Sequence, residues 1–307
     1  DISTRRFTGG RRRTTRFGQR QPLVDRLRAG EMSLPVEILV CAILLPVVVS
    51  GGLALGLSWP HENRLVGLTP AVAAGFVAGY LVLPWTSWWP EDTWQRVAYL
   101  AVAAALVAVA CHALRAPVRY RLILQLAVST LAAWLLVPTW EEMLPRWYLW
   151  CAVMATCIFL TWMVWASLGT RWPLAGQLLL LIVTFATAGP VLMLSGNLKF
   201  AELTMLLGAS AVASVVVAGV RGVTGGLVAC APILAVALPG LLLNGYFYSF
   251  SDIPLLSYLL ILAAPAACLL VEVLRVSGLQ PKWSLAVRLA VALLLPAAAL
   301  LMAATRA

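Results

Sequence analysis

The chain has 307 residues, 62% of them hydrophobic and 11% charged, with 22 Lys and Arg against 12 Asp and Glu. A soluble domain carries about 25% charged residues, so this composition excludes a water-soluble globular protein and makes the bilayer its solvent. The positive excess is not a nucleic-acid signature, because residues 1–31 hold nine arginines with no folded module beside them.

That N-terminal stretch is arginine-rich and of low complexity, RRFTGGRRRTTRFGQR over 5–20. Residues 1–31 read as a disordered tail, and 32–307 as a single transmembrane helical domain. The chain starts at Asp1, and its first methionine, Met32, stands two residues before the first apolar run. Met32 is therefore expected to be the natural initiator, with 1–31 outside the natural protein. TRRF faintly resembles a twin-arginine export signal, but Thr8 stands where an apolar residue should follow, and the apolar run is too long and too distant.

A spanning helix needs about 20 mostly apolar residues, and a lone span must satisfy its own backbone hydrogen bonds. The pattern predicts an all-α polytopic transmembrane helix bundle of about ten spans: 34–57, 66–84, 95–113, 120–137, 147–168, 174–194, 202–220, 223–243, 254–274 and 285–303. The second, 66–84, is rich in Gly and Ala and is the weakest. It carries a stripe at spacing four, Ala71, Gly75 and Gly79. The seventh has two such stripes, Ala209 with Ala213 and Ser210 with Ser214. These stripes predict close helix packing or self-association. Gln125 and Gln177, near the ends of spans four and six, predict hydrogen bonds between helices.

Prolines fall inside several spans. Gly189-Pro190 in span six and Pro239-Gly240 in span eight are the candidates for helix breaks of the kind that form substrate sites in transporters. Tryptophan is uneven, twelve of thirteen at or before Trp172. Trp85, Trp88, Trp89 and Trp94 crowd one loop, and Trp140, Trp147 and Trp150 another two spans later. They predict an aromatic belt on one membrane face, with a cation- or sugar-binding cluster as the sharper alternative.

Charge sets the expected orientation. Odd-numbered loops hold Arg64, Arg115, Arg119, Arg121, Arg171, Arg221, Arg275, Lys282 and Arg288, against three cations and six carboxylates in the even-numbered loops. Odd-numbered loops are thus expected in the cytoplasm, for a multi-pass protein of the cell (inner) membrane. The arginine tail points the other way, a conflict that either a non-native tail or a second segment that does not fully cross would remove.

No catalytic motif is present. No Asp, Glu, Lys, Arg or His lies near the midpoint of any span, and Ser195-Gly196 lacks the glycine of a GxSxG site. Glu141-Glu142 reads as a solvated loop rather than a carboxylate pair. The only histidines are His61 and His112, and the six cysteines form no CxxC pair. No catalytic residue, metal or cofactor is expected. Two even-numbered loops, LSGNLKFAE (194–202) and LLNGYFYSFSD (242–252), offer Ser195, Asn197, Asn244, Tyr246 and Asp252 as a polar mouth. Asn-Gly turn chemistry is the plainer reading of those residues. The expected function is a permease or transporter for a small neutral or lipid-like substrate, without enzymatic activity. The alternative is a non-catalytic membrane subunit or scaffold. The expected partners are the lipid bilayer and a second copy or another membrane protein.

Overall fold

The computed structural model of the chain describes residues 42–57, 64–83, 85–86, 89–141, 143–223, 225–273 and 281–306, with backbone alone in 64–66 and 281–286. The arginine tail, Met32, His61, Trp88, Glu142 and Arg275 lie outside these residues.

Ten α-helices account for most of what is described: α1 (Leu45–Leu57), α2 (Arg64–Val82), α3 (Arg96–Ala113), α4 (Val118–Leu136), α5 (Trp147–Arg171), α6 (Leu174–Leu194), α7 (Leu198–Val220), α8 (Gly226–Phe247), α9 (Leu255–Val273) and α10 (Pro281–Ala304). No strand occurs among the described residues. The all-α bundle expected from the apolar runs is the observed architecture. Seven helices are long and apolar enough to cross a membrane: α3 and α5 with the short 3₁₀ turns that precede them, α6, α7, α8, α9 and the 287–304 part of α10. The apolar stretches of α1 (42–57) and α2 (67–82) are shorter, and α4 carries Arg119 and Arg121 in its first turn. The chain is a multi-pass helical membrane protein.

Helix α8 forms the centre. Its sequence, GLVACAPILAVALPGLLLNGYF, is apolar around its whole circumference, and such a helix has to be surrounded. Of its apolar window, 94% is buried. It packs against α2 to α7 and α9, most extensively against α5. Its Ala, Gly and Cys side chains are small enough to admit several neighbours at close range. Helices α1 and α10 are peripheral, α1 resting on α2 and α7, and α10 on α6 and α9.

Helices expected to break do not. Both α6 and α8 continue through Pro190, Pro232 and Pro239. A proline removes one donor from the ladder, but flanking turns and the surrounding helices hold the rest in place. Two boundaries also move. Helix α7 starts at Leu198, so Lys199 and Glu202 are helical rather than loop residues. Helix α8 runs to Phe247, so Asn244-Gly245 extends a helix instead of making a turn. The Asn244 amide donates to Gly240 O at 2.7 Å, four residues back in the same helix. That bond gives the amide nitrogen a partner without a turn.

The bundle has two distinct ends. At one, the segment around 85–96, the α4–α5 loop, the α6–α7 turn and the α8–α9 loop meet, joined by contacts such as Asn197 to Gly245 and Trp140 to Tyr248. This is the tryptophan-bearing face. At the other, the end of α5 and the starts of α6 and α8 are tied by Gln177, which donates to Gly169 O (3.0 Å) and Trp172 O (2.8 Å) and accepts from Leu227 N (3.2 Å). Arg115, Arg119, Arg121, Arg171 and Arg221 mark this arginine-bearing face.

Candidate functional site

The polar residues of the tryptophan-bearing face come together, but they bind the protein itself. Ser195 and Asn244 are fully buried and Asn197 is buried. Asn197 Nδ2 donates to Gly245 O at 3.0 Å and to Ser195 Oγ at 3.2 Å. Ser195 O accepts from Phe250 N at 3.2 Å. Tyr246 is half-buried and packs against Trp150 and Tyr258. Asp252 is exposed on the α8–α9 loop. Of the five residues expected to form a mouth, Ser195 and Asn197 thus close the α6–α7 turn onto the end of α8 and the α8–α9 loop. Asn244 Oδ1 is buried and without a hydrogen-bond partner among the described residues.

The tryptophan-bearing end holds both buried rings, Trp94 and Trp147, and exposed ones, Trp89 and Trp140. Trp94 is buried and meets Phe200 edge to face, Phe200 meets Tyr248 in the same way, and Tyr248 meets Trp140 likewise. The Tyr248 and Thr93 hydroxyls are 3.0 Å apart. Burial pushes the Tyr248 phenol above its ordinary value. Lys199 places its ammonium 5.5 Å from the Trp85 ring and 5.7 Å from the Trp94 ring. An ammonium at that range is held by the ring quadrupoles. The chain's own lysine therefore takes the position in which a foreign cation would sit. Trp85 Nε1 donates to the buried Glu202 carboxylate at 2.9 Å.

The open space lies at the arginine-bearing face. A partly open cavity of about 300 Å³ is lined by α2, α3, α4, α5 and α8, with Thr69, His112, Arg121, Gln125, Trp162 and Pro232 on its walls. Arg121 follows the α3–α4 turn. Its Nε donates to Ala116 O at 2.7 Å, which fixes the guanidinium. Gln125 stands one turn further along α4, on the same face at spacing four. Gln177 makes the bonds expected of a residue joining helices, but the buried Gln125 Oε1 has no partner among the described residues.

Beside the cavity runs a second space of about 310 Å³, a cleft between α2 and α3 with apolar walls only. Val109 lines both. Leu106, 63% exposed, stands at the cleft rim. Each space is near the lower limit of ligand pockets, about 300 Å³. The two spaces thus adjoin along α3, the first with Thr69, His112, Arg121 and Gln125 among its otherwise apolar walls and the second with apolar walls only.

This site was not found by sequence reasoning. His112 and Gln125 stood out only as span-end residues, and the spacing of Arg121 and Gln125 was the one local signal available. No group of three or more metal-ligating side chains gathers among the described residues. Compared with protein-family models, curated proteins and solved structures, the chain matches none.

Proposed function

We propose that the chain is a permease-like membrane protein, without covalent chemistry of its own, that admits a lipid-like amphiphile from the bilayer through the α2–α3 cleft. The observation that supports this reading is an apolar cleft lying beside a chamber that carries Arg121, His112 and Gln125, with Val109 lining both. A tail that moves from the bilayer into the cleft stays in apolar surroundings, because lipid tails are as apolar as leucine. The tail therefore gains little, and recognition falls to the polar chamber. On this reading the arginine-bearing face lies in the cytoplasm of a cell whose inner membrane holds the protein.

The test is leaflet exchange of a fluorescently labelled phospholipid in proteoliposomes. The wild-type chain accelerates exchange. Ala108→Trp fills the chamber wall and abolishes the acceleration, with helix content and melting temperature unchanged. No acceleration by the wild-type chain overturns transport.

One observation favours a second reading, a non-catalytic subunit or homo-oligomer: the sheath around α8 is apolar along nearly its whole length. The small-residue stripe Ala71, Gly75 and Gly79 does not add to it, since the stripe is buried within the bundle. A stoichiometric partner recovered from native membranes with a C-terminally tagged chain would favour the subunit.

A further inference from the structure

The chamber's two unmatched groups define what it would hold. Arg121 is exposed at the edge of the chamber, uses Nε on Ala116 O, and has no carboxylate among the described residues paired with its terminal NH₂ groups. A guanidinium in that state asks for an anion, and its fork suits phosphate. Four residues on, Gln125 Oε1 is buried and lacks a donor. A buried acceptor without a donor costs about 1–3 kcal/mol, a penalty that a ligand carrying a hydroxyl would relieve. An anion alone satisfies Arg121 and leaves Gln125 unmatched, and a neutral polyol does the reverse.

The surrounding charge is of one kind. Among the described residues, this face presents Arg115, Arg119, Arg121, Arg171 and Arg221. Its one described carboxylate, Glu272, is already paired with Arg288 at 2.7 Å. The potential over the chamber entrance is positive, which concentrates anionic lipid there.

Resting on the amphiphile reading above, we infer that the chamber binds the headgroup of an anionic phospholipid bearing a free hydroxyl beside its phosphate, with Arg121 on the phosphate, Gln125 on the hydroxyl and one acyl chain in the α2–α3 cleft. The source is a membrane lipid rather than a free phosphate, because the apolar cleft lies beside the chamber and shares Val109 with it.

The experiment is native mass spectrometry of the purified full chain, competed with lipids of matched acyl chains: phosphatidylglycerol, phosphatidylmethanol (phosphate without hydroxyl) and diacylglycerol (no phosphate). The wild-type chain retains phosphatidylglycerol about tenfold over diacylglycerol, the effect of one charge-assisted hydrogen bond. It retains phosphatidylglycerol a few-fold over phosphatidylmethanol. Arg121→Gln removes the first preference. Gln125→Leu removes the second and leaves the first. Arg171→Gln, on the same face but outside the chamber wall, changes neither. If phosphatidylglycerol and diacylglycerol are retained alike, the anionic headgroup is overturned while lipid binding stands. If Arg171→Gln lowers the preference as much as Arg121→Gln, general surface charge replaces the site. If no lipid is retained, or Ala108→Trp retains all three as well as the wild type, the amphiphile reading itself falls.

Discussion

Three turns at the ends of helices share one geometry with different residues. After α3, α6 and α7 the chain passes through a left-handed residue: Arg115 (φ 49°), Gly196 (φ 81°) and Gly222 (φ 64°). In each, the next amide reaches back across the turn, Ala116 N to Cys111 O, Asn197 N to Leu192 O and Val223 N to Ala218 O. Glycine is the usual residue there because it has no Cβ to collide with the carbonyl. Arg115 carries that collision, worth about 1–2 kcal/mol. Arg115→Gly is expected to raise the unfolding free energy in detergent by about 1 kcal/mol. Gly222→Ala is its mirror. Nothing lies within 4 Å of the added Cβ, so a loss of about the same size is assigned to the backbone alone. A destabilised Arg115→Gly would mean that the arginine side chain contributes more than its strained backbone costs.

At the scale of elements, the stripes are where the bundle is held closest. Gly75 faces the crossing of α1, α2 and α7, where an added Cβ would come 2.6 Å from Ser50 Cβ and 3.0 Å from Pro46 O. At the same crossing Ser50 Oγ donates to Ser210 O at 2.9 Å and lies 2.6 Å from Ser214 Oγ. Hydrogen bonds between membrane helices average about 0.6 kcal/mol, so Ser50→Ala is expected to cost about 1 kcal/mol over its two bonds. Gly75→Val forces α1 from α2 and is expected to cost more, about 1–3 kcal/mol. Gly51→Ala, with open space around it, is the control and is expected to be neutral or slightly stabilising. Steric denaturation titrations in mixed micelles rank the three, and any other order removes this crossing as the anchor of α1. Both stripes were legible in the sequence because spacing four sets residues on one helix face. Their partner was not, since nothing local to Ser50 shows that α1 lies across α7, 160 residues away in the chain. Helix positions were legible for a related reason, as a continuous apolar run of about 20 residues that crosses a bilayer alone satisfies its backbone hydrogen bonds as a helix. Boundaries were not. Hydropathy marks where apolar side chains stop, whereas α7 and α8 continue for as long as side chains such as Glu202 and Asn244 find partners inside the protein.

At the scale of the whole molecule, two ends that differ in chemistry enclose one apolar axis. The chamber at the arginine-bearing face draws on five helices whose contributing residues run from Thr69 to Pro232, and helical periodicity carries no record of such tertiary pairing. The charge difference between the ends was legible, because it lies in short loops. The structure sharpens it by gathering Glu91, Asp92, Glu141 and Asp252 around the tryptophan-bearing end and the five arginines at the other. Lys and Arg in short loops are retained on the cytoplasmic side, so the arginine-bearing face is expected inside. The cysteines at 111, 151, 157, 230 and 268 are free but lie within the bundle's helices, which allows single introduced cysteines to report on the loops. In intact cells, a membrane-impermeant thiol reagent is expected to label Asp252→Cys and Glu91→Cys, and to reach Arg171→Cys and Gly222→Cys only after permeabilisation. Labelling in the reverse order would put the chamber at the outer surface. The cleft would then draw on the outer leaflet, and the lipid class bound there would have to be sought among outer-leaflet species.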